Sequence, residues 1–524
     1  MRSRRLSGWW IVPLLSVATL GAAAVETPLI EAVKTSDIKT VRELIQQRVD
    51  VNASAVDGTT ALHWAAQQND AEAVELLIRG GAAVGTANRY GATPLSLAAA
   101  NGNAAVIELL VKAGADANSA SPEGETALMV ASRSGAPAAL KVLLANGAGV
   151  NTKEGWREQT ALMWAAAEGH AAAVKVLVEN GADIHAQSKG AMTALLFAVR
   201  GGHIAATREL LAAKANVRDT APDGTSTLVL AIINGHYELA SVLLDHGADP
   251  NVEDPRASAL HAIAWIRNSG YAASNPPKIQ TGDLDSLDLA KALLAHGANP
   301  NVRVAWKEIR FNRDAGAVKQ PPDIPIGRNY MSAIGATPFY LAAKGGDVAL
   351  MRLLAANGAD PRLPTVQKVT PLMAASGVGF WDGESPGPES GVSESQSLEA
   401  VKLAWELGND VNAVTDYGDI HLEGDGVTLL RRHPFNLADF PEEALGDMRW
   451  GGSSALHGAA LRGANSIVQF LVDKDAKVDA KNKLGWTPLI VAEGVFVANT
   501  EKHWPSTVAL LKRLSSLPEA SAAR

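Results

Sequence analysis

Apolar and polar positions along the chain alternate between two kinds of short helical segment. One opens on a hydroxylated residue and continues through small apolar ones, as in Thr93-Pro94-Leu95-Ser96-Leu97-Ala98-Ala99. The other carries an apolar stripe at helical spacing, as in Val106, Leu109 and Leu110. The first pattern suits a helix start, because the Thr93 hydroxyl accepts an N–H of the first turn and Pro94 lacks only an N–H that would have no partner there. Gly102 and Gly114 stand where the two helices should end in left-handed residues. A projecting turn, here called a finger, then leads to the next glycine, as around Tyr90. Such a pair is too small to bury its own stripe, so neighbouring pairs must cover it by stacking.

The unit recurs. Thr60, Thr93, Thr126, Thr160, Thr193 and Thr227 follow one another at about 33 residues, and Thr337 to Thr370 and Ser454 to Thr487 repeat the step. Gly58 to Ala66 and Gly91 to Ala99 are two copies of the opening phrase. Leu109 to Asn118 and Leu243 to Asn251 are copies of a closing phrase, with Gly-Ala-Asp at its heart. Taken together these phrases resemble the ankyrin-repeat family, over about Thr27 to Leu514 in roughly twelve units. The resemblance implies an all-α solenoid of helix-turn-helix units with β-turn fingers. It gives structural roles to Thr60, Thr93, Thr126, Thr160, Thr193, Thr227, Thr337, Thr370 and Thr487, and to Pro94, Pro338, Pro371 and Pro488. It assigns His63, His261 and His457, with His170, His203 and His236, to hydrogen bonds within and between units. His246 and His296 are expected on the surface. Thr27-Pro28 opens the array, and the polar Arg42, Glu43, Gln46, Gln47 and Arg48 suit a cap. Val508, Leu510, Leu511 and Leu514 are expected to close the far end.

Residues 25–268 are nearly regular, whereas 269–514 carry insertions at 269–283, 304–334, 377–397, 418–452 and 494–506, with 515–524 read as a disordered tail. The second and fourth insertions replace fingers, and the others separate the two helices of one unit. Loops of this length in a compact array are usually functional or mobile. Two finger positions only two units apart lie roughly 20 Å from one another, since helices pack at ~8–10 Å. Arg and large aromatics are the residue types on which binding energy concentrates. Partner-binding residues are therefore sought at Trp306, Arg310, Phe311, Arg328 and Tyr330, at Arg431, Arg432, Phe435 and Trp450, and at Phe380, Trp381 and Asp382; the alternative is that these aromatics pin the insertions to the stack while the charges pair with one another.

Composition narrows the chemistry. Apolar residues make up 47% and charged residues 19%, which supports a packed chain. The formal charge of −8 argues against nucleic-acid binding, which rests on clustered cations. With no cysteine there is no disulfide, thiol nucleophile, thiolate metal site or lipoprotein anchor. Residues 1–24 read as a signal peptide, with Arg2, Arg4 and Arg5 before an apolar run and Ala22-Ala23-Ala24 at the cleavage point. The expected location is periplasmic or secreted, with an uncleaved membrane anchor as the alternative.

Nucleotide-binding glycine loops and H-E-x-x-H are missing from the sequence. His421 and His433 lie near Asp416, Asp419, Glu423 and Asp425, but the spacing fits no calcium loop and is read as solvated charge. Asp382 and Glu384 suit a glycosidase pair in residue type only, because adjacent carboxylates on one loop have no fixed separation. The expectation is a monomeric, non-enzymatic scaffold without cofactor or metal, binding a protein through its concave face and finger insertions. The alternative is a small-molecule or carbohydrate site, even a weak hydrolase, built by the insertions around Trp381, Asp382, Glu384 and Trp450.

Overall fold

The computed structural model describes residues 27–252, 257–267, 280–304, 334–379, 392–416, 450–495 and 503–516. Among them are 24 α-helices and no strand beyond isolated bridges. The chain divides into two compact units, one ending at Trp156 and the other beginning at Arg157.

Unit 1 holds four helix pairs: α1 and α2 (Pro28–Lys34, Ile38–Gln46), α3 and α4 (Ala61–Gln67, Ala71–Arg79), α5 and α6 (Pro94–Ala100, Ala104–Lys112), α7 and α8 (Ala127–Arg133, Pro137–Ala145). The first helices of successive pairs pack on one another, as do the second helices. The caps explain where each begins. Thr93 accepts from the Ser96 N–H at 3.1 Å with Pro94 in the first helical position, and Thr126 does the same for Met129 at 3.4 Å. Ala98, Ala99, Val106, Ile107 and Leu110 are solvent-free, so each pair buries its stripe only against its neighbours. The opening pair is polar outside as expected, with Arg42, Glu43, Gln46, Gln47 and Arg48 all exposed.

Unit 2 stacks eight pairs: α9 and α10 (Ala161–Ala167, Ala171–Glu179), α11 and α12 (Ala194–Gly201, Ile204–Ala212), α13 and α14 (Thr227–Ile233, Tyr237–Asp245), α15 and α16 (Ala259–Arg267, Ser286–Ala295), α17 and α18 (Pro338–Lys344, Val348–Ala356), α19 and α20 (Pro371–Ser376, Glu394–Glu406), α21 and α22 (Ala455–Arg462, Asn465–Asp473), α23 and α24 (Pro488–Gly494, Pro505–Ser515). Thr160, Thr193, Thr337, Thr370 and Thr487 cap their helices as the repeat requires. Thr227 does not. Ser226 accepts the Val229 N–H, while Thr227 is the first helical residue and donates its hydroxyl to the Val217 carbonyl. Two hydroxylated residues in a row had shifted the register by one. At the far end Leu511 and Leu514 are buried as expected, whereas Val508 and Leu510 stay partly exposed.

Element order fixes where the insertions leave. Residues 305–333 and 417–449 fall between one pair and the next, and 268–279, 380–391 and 496–502 fall between the two helices of a pair. Several edges of the insertions move inward: Gly494 still belongs to α23, and Pro505 and Ser506 already belong to α24. Glu394 to Ser397 already belong to α20, capped by Ser393, and Thr281 is held by the His236 ring at 2.9 Å.

Candidate interaction surface

Fingers are built by one repeated backbone bond. Ala55 donates to the Thr59 carbonyl, Asn88 to Ala92 and Ser121 to Glu125, each at 2.9 Å, which closes a tight turn ahead of each first helix. Side chains complete it: Asn88 Oδ1 accepts from the Tyr90 and Ala92 N–H groups at 3.0 Å. In unit 1 the fingers also touch in series. The Arg89 N–H donates to the Asp57 carbonyl and its guanidinium to the Val56 carbonyl, both at 2.7 Å. Gly91 has φ +74, and a Cβ there would lie 2.3 Å from Pro122 Cδ, so only glycine lets these two fingers abut. The Gly155 N–H donates to the Glu123 carbonyl at 2.7 Å.

The tips of this row are apolar and wet. Val56, Tyr90 and Trp156 are 69%, 73% and 70% exposed, and Pro122 is exposed between the last two. Large side chains left in water on a rigid hydrogen-bonded edge forgo burial energy of about 25 cal/mol per Å², which a partner's surface would recover. Of these the sequence marks only Tyr90, as a finger position and not as a binding residue, although each sits within two positions of a finger glycine.

The finger insertions root on a similar edge in unit 2. Val304 donates to the Ala336 carbonyl at 2.9 Å and Gly335 to Val304 at 2.7 Å, so the two ends of 305–333 form the base of a single finger. Val366 donates to Ile334, Asp416 to Gln367 and Lys483 to Gly451, which aligns four successive fingers and places one regular finger between the two insertion roots. Asp416, at the second root, is bridged by Lys368 at 2.8 Å and Lys483 at 3.6 Å.

Of the residues expected to bind a partner, Trp306, Arg310, Phe311, Arg328, Tyr330, Phe380, Trp381, Asp382, Arg431, Arg432 and Phe435 lie outside the described residues, as do Glu384, His421 and His433. Trp450 is described, and the expectation fails: it is 3% exposed, because it lies in the closing turn where its carbonyl accepts from Ser453 and from the Thr415 hydroxyl. An aromatic at a loop end had been read as part of the loop.

His63, His203, His236, His261 and His457 stand where the repeat requires. His63 Nδ1 accepts the Thr60 N–H at 3.1 Å, so Nε2 carries the proton and donates to Ala92, in the next finger, at 3.1 Å. His261 and His457 repeat this toward Ala336 and Trp486, at 3.0 Å each. Burial holds both rings down to about 4, only partly offset by these bonds. His203 and His236 reach back to Ala167 and Arg200 in the preceding pair. His246 and His296 are exposed.

On the opposite edge a cavity of about 520 Å³ is lined by Arg267, Asp347, Val348, Val392, Gln396 and Glu399, among others. Its two most buried charges are committed to each other. Arg267 donates twice to Asp347, at 2.5 and 3.1 Å, and once to Ser286 at 2.7 Å, and Asp347 also caps α18. Among the described residues no cluster of three or more His, Asp or Glu could hold a metal ion, and no helix is long and apolar enough to cross a membrane.

Comparison with known proteins agrees with the repeat geometry. The profile described as Ankyrin repeats (3 copies) matches residues 13–88, 29–121, 69–154, 95–188 and 162–254, and the Ankyrin repeat profile matches 334–366 and 451–483. No curated protein matches the sequence. Among solved structures, the human ASB11 ankyrin repeat domain is similar at 26% identity, over 43% of this chain and 100% of that one, with a TM-score of 0.40.

Proposed function

The chain belongs to the ankyrin-repeat family, and from that premise we propose that it holds a protein partner outside the cytoplasm, gripping it by the finger row of unit 1. Ankyrin repeats generally mediate protein–protein interaction and are typically non-enzymatic, which sets the class. The observation that carries the specific reading is the exposure of Val56, Tyr90 and Trp156 on consecutively joined turns. Tyr and Trp supply large contact area at little cost in rotamer freedom, and a rigid edge need not be ordered on binding. The fingers bearing 305–333 and 417–449 are proposed to extend the grip in unit 2, since Arg and aromatic residues are dense in both. Export is supported by the basic and apolar leader of residues 1–24.

A photoreactive aromatic placed at Tyr90 in living cells tests both halves of the proposal. One discrete adduct is expected from this position, recovered with the periplasmic or secreted fraction. The same probe at Lys141, exposed on the second helix α8, should give none. Equal adducts from both positions, no adduct at Tyr90, or recovery only from the cytoplasm would reject it.

The cavity beside Arg267 gives little support to the small-molecule alternative, because its guanidinium and the Asp347 carboxylate are already committed to each other.

A further inference from the structure

We propose that His261 is an acid-sensitive pin for the base of the finger that carries residues 305–333, holding that base closed near neutral pH and releasing it in mild acid. Three bonds meet at this base. Val304 donates to Ala336 and Gly335 to Val304, and the His261 Nε2–H donates to the same Ala336 carbonyl at 3.0 Å. A regular finger closes over three residues, as between Asn88 and Ala92, whereas this base, from Val304 to Ala336, closes over residues 305–335.

The ring takes a proton in place only with difficulty. Nδ1 faces the Ser258 N–H at 3.3 Å and the Ser258 hydroxyl at 2.8 Å, so it serves as an acceptor, and the side chain is solvent-free. The elements packed against it supply no compensating charge. Helix α13 has no titratable residue. On α17, Tyr340 is buried with its hydroxyl pushed up to about 12, and Lys344 is a cation. On α16, Asp288 is paired with Lys291 at 2.6 Å, and the Asp285 carboxylate accepts the Leu287 and Asp288 N–H groups. On α15 itself Arg267 is held by Asp347, and at the base Arg303 adds another cation, 3.0 Å from the Gly335 carbonyl. Protonation therefore favours the ring leaving its slot, and the bond to Ala336 leaves with it.

His63 is an internal comparison. It makes the same two contacts in a regular finger, and burial lowers its affinity for a proton as well, but hydrogen bonding to the Ala92 and Thr86 backbone and, less, the Asp57 carboxylate partly offset that effect.

Amide hydrogen exchange of the full chain at pH 7 and pH 5, with intrinsic rates corrected, tests the pin. With the folded ring at about 4 and the released ring at 6.5, linkage makes the opening constant of the base rise about twentyfold between the two. Protection at Val304, Gly335 and Val366 should fall accordingly, and that at Asn88 and Gly91 by clearly less. His261→Gln keeps a cap acceptor, as Gln396 does for the Ser393 N–H at 2.9 Å, but cannot titrate. Its base should be weakly protected at pH 7 and show no further loss at pH 5. Unchanged wild-type protection, an equal loss at Asn88 and Gly91, or acid dependence that survives in His261→Gln would overturn the proposal. If the glutamine variant does not fold, the wild-type comparison alone decides.

Discussion

Truncating Phe339 to alanine is expected to cost about 3–5 kcal/mol, the range for removing a fully buried aromatic from a packed core. Phe339 is solvent-free in the first turn of α17, where other units carry leucines such as Leu62, Leu95 and Leu128. Helix α17 packs on α15 before it and α19 after it, so the void would weaken the coupling to both neighbours. In a stack held by nearest-neighbour contacts this loss should also split the transition, because the pairs on either side no longer unfold together. Urea denaturation followed by circular dichroism would report both effects. A single unbroken transition with a loss under about 1 kcal/mol would mean that the surrounding pairs collapse into the space.

Acid is expected to remove a comparable amount from unit 2. His261 and His457 are held down to about 4 from an ordinary 6.5, so the folded chain keeps both rings neutral where the unfolded chain would charge them. Because the unfolded state binds more protons in this window, stability rises with pH. The contribution is complete above pH 6.5 and falls as the pH drops toward 4. Each ring accounts for roughly 3 kcal/mol over that range, on the order of 6 kcal/mol for the pair. Urea midpoints at pH 7 and pH 4.5 should therefore differ sharply in wild-type protein and much less in a His261→Gln, His457→Gln double variant. Equal pH dependence in the two proteins would place the acid sensitivity elsewhere.

The repeat was legible because each unit states its own boundaries. A hydroxylated cap, a proline in the first turn and a glycine after each helix have local physical reasons, and they survive in Thr93, Pro94, Gly102 and Gly114. The histidine contacts were legible through the resemblance, and the structure adds why they matter, since Nδ1 and Nε2 tie one unit's cap to the next unit's finger. Thr227 was misplaced where Ser226 and Thr227 offer two caps in succession, and only the contact to Val217 decides between them. Trp450 illustrates a different limit, because residue type cannot say whether an aromatic beside a long loop faces water or pins the loop's end. The fingertip row was hidden for the opposite reason. Val56, Tyr90 and Trp156 are separated by a whole repeat each or more, and they form a row only once the stack brings their turns together.

Affinity for the protein captured at position 90, measured by titration against wild-type chain and a Tyr90→Ala, Trp156→Ala variant, addresses the role of that row most directly. Both side chains project into water, so the melting temperature should hardly change, while affinity should drop by about a hundredfold or more, as expected for two aromatic anchors. Undiminished affinity in a correctly folded variant would contradict the assignment of the partner to the finger row.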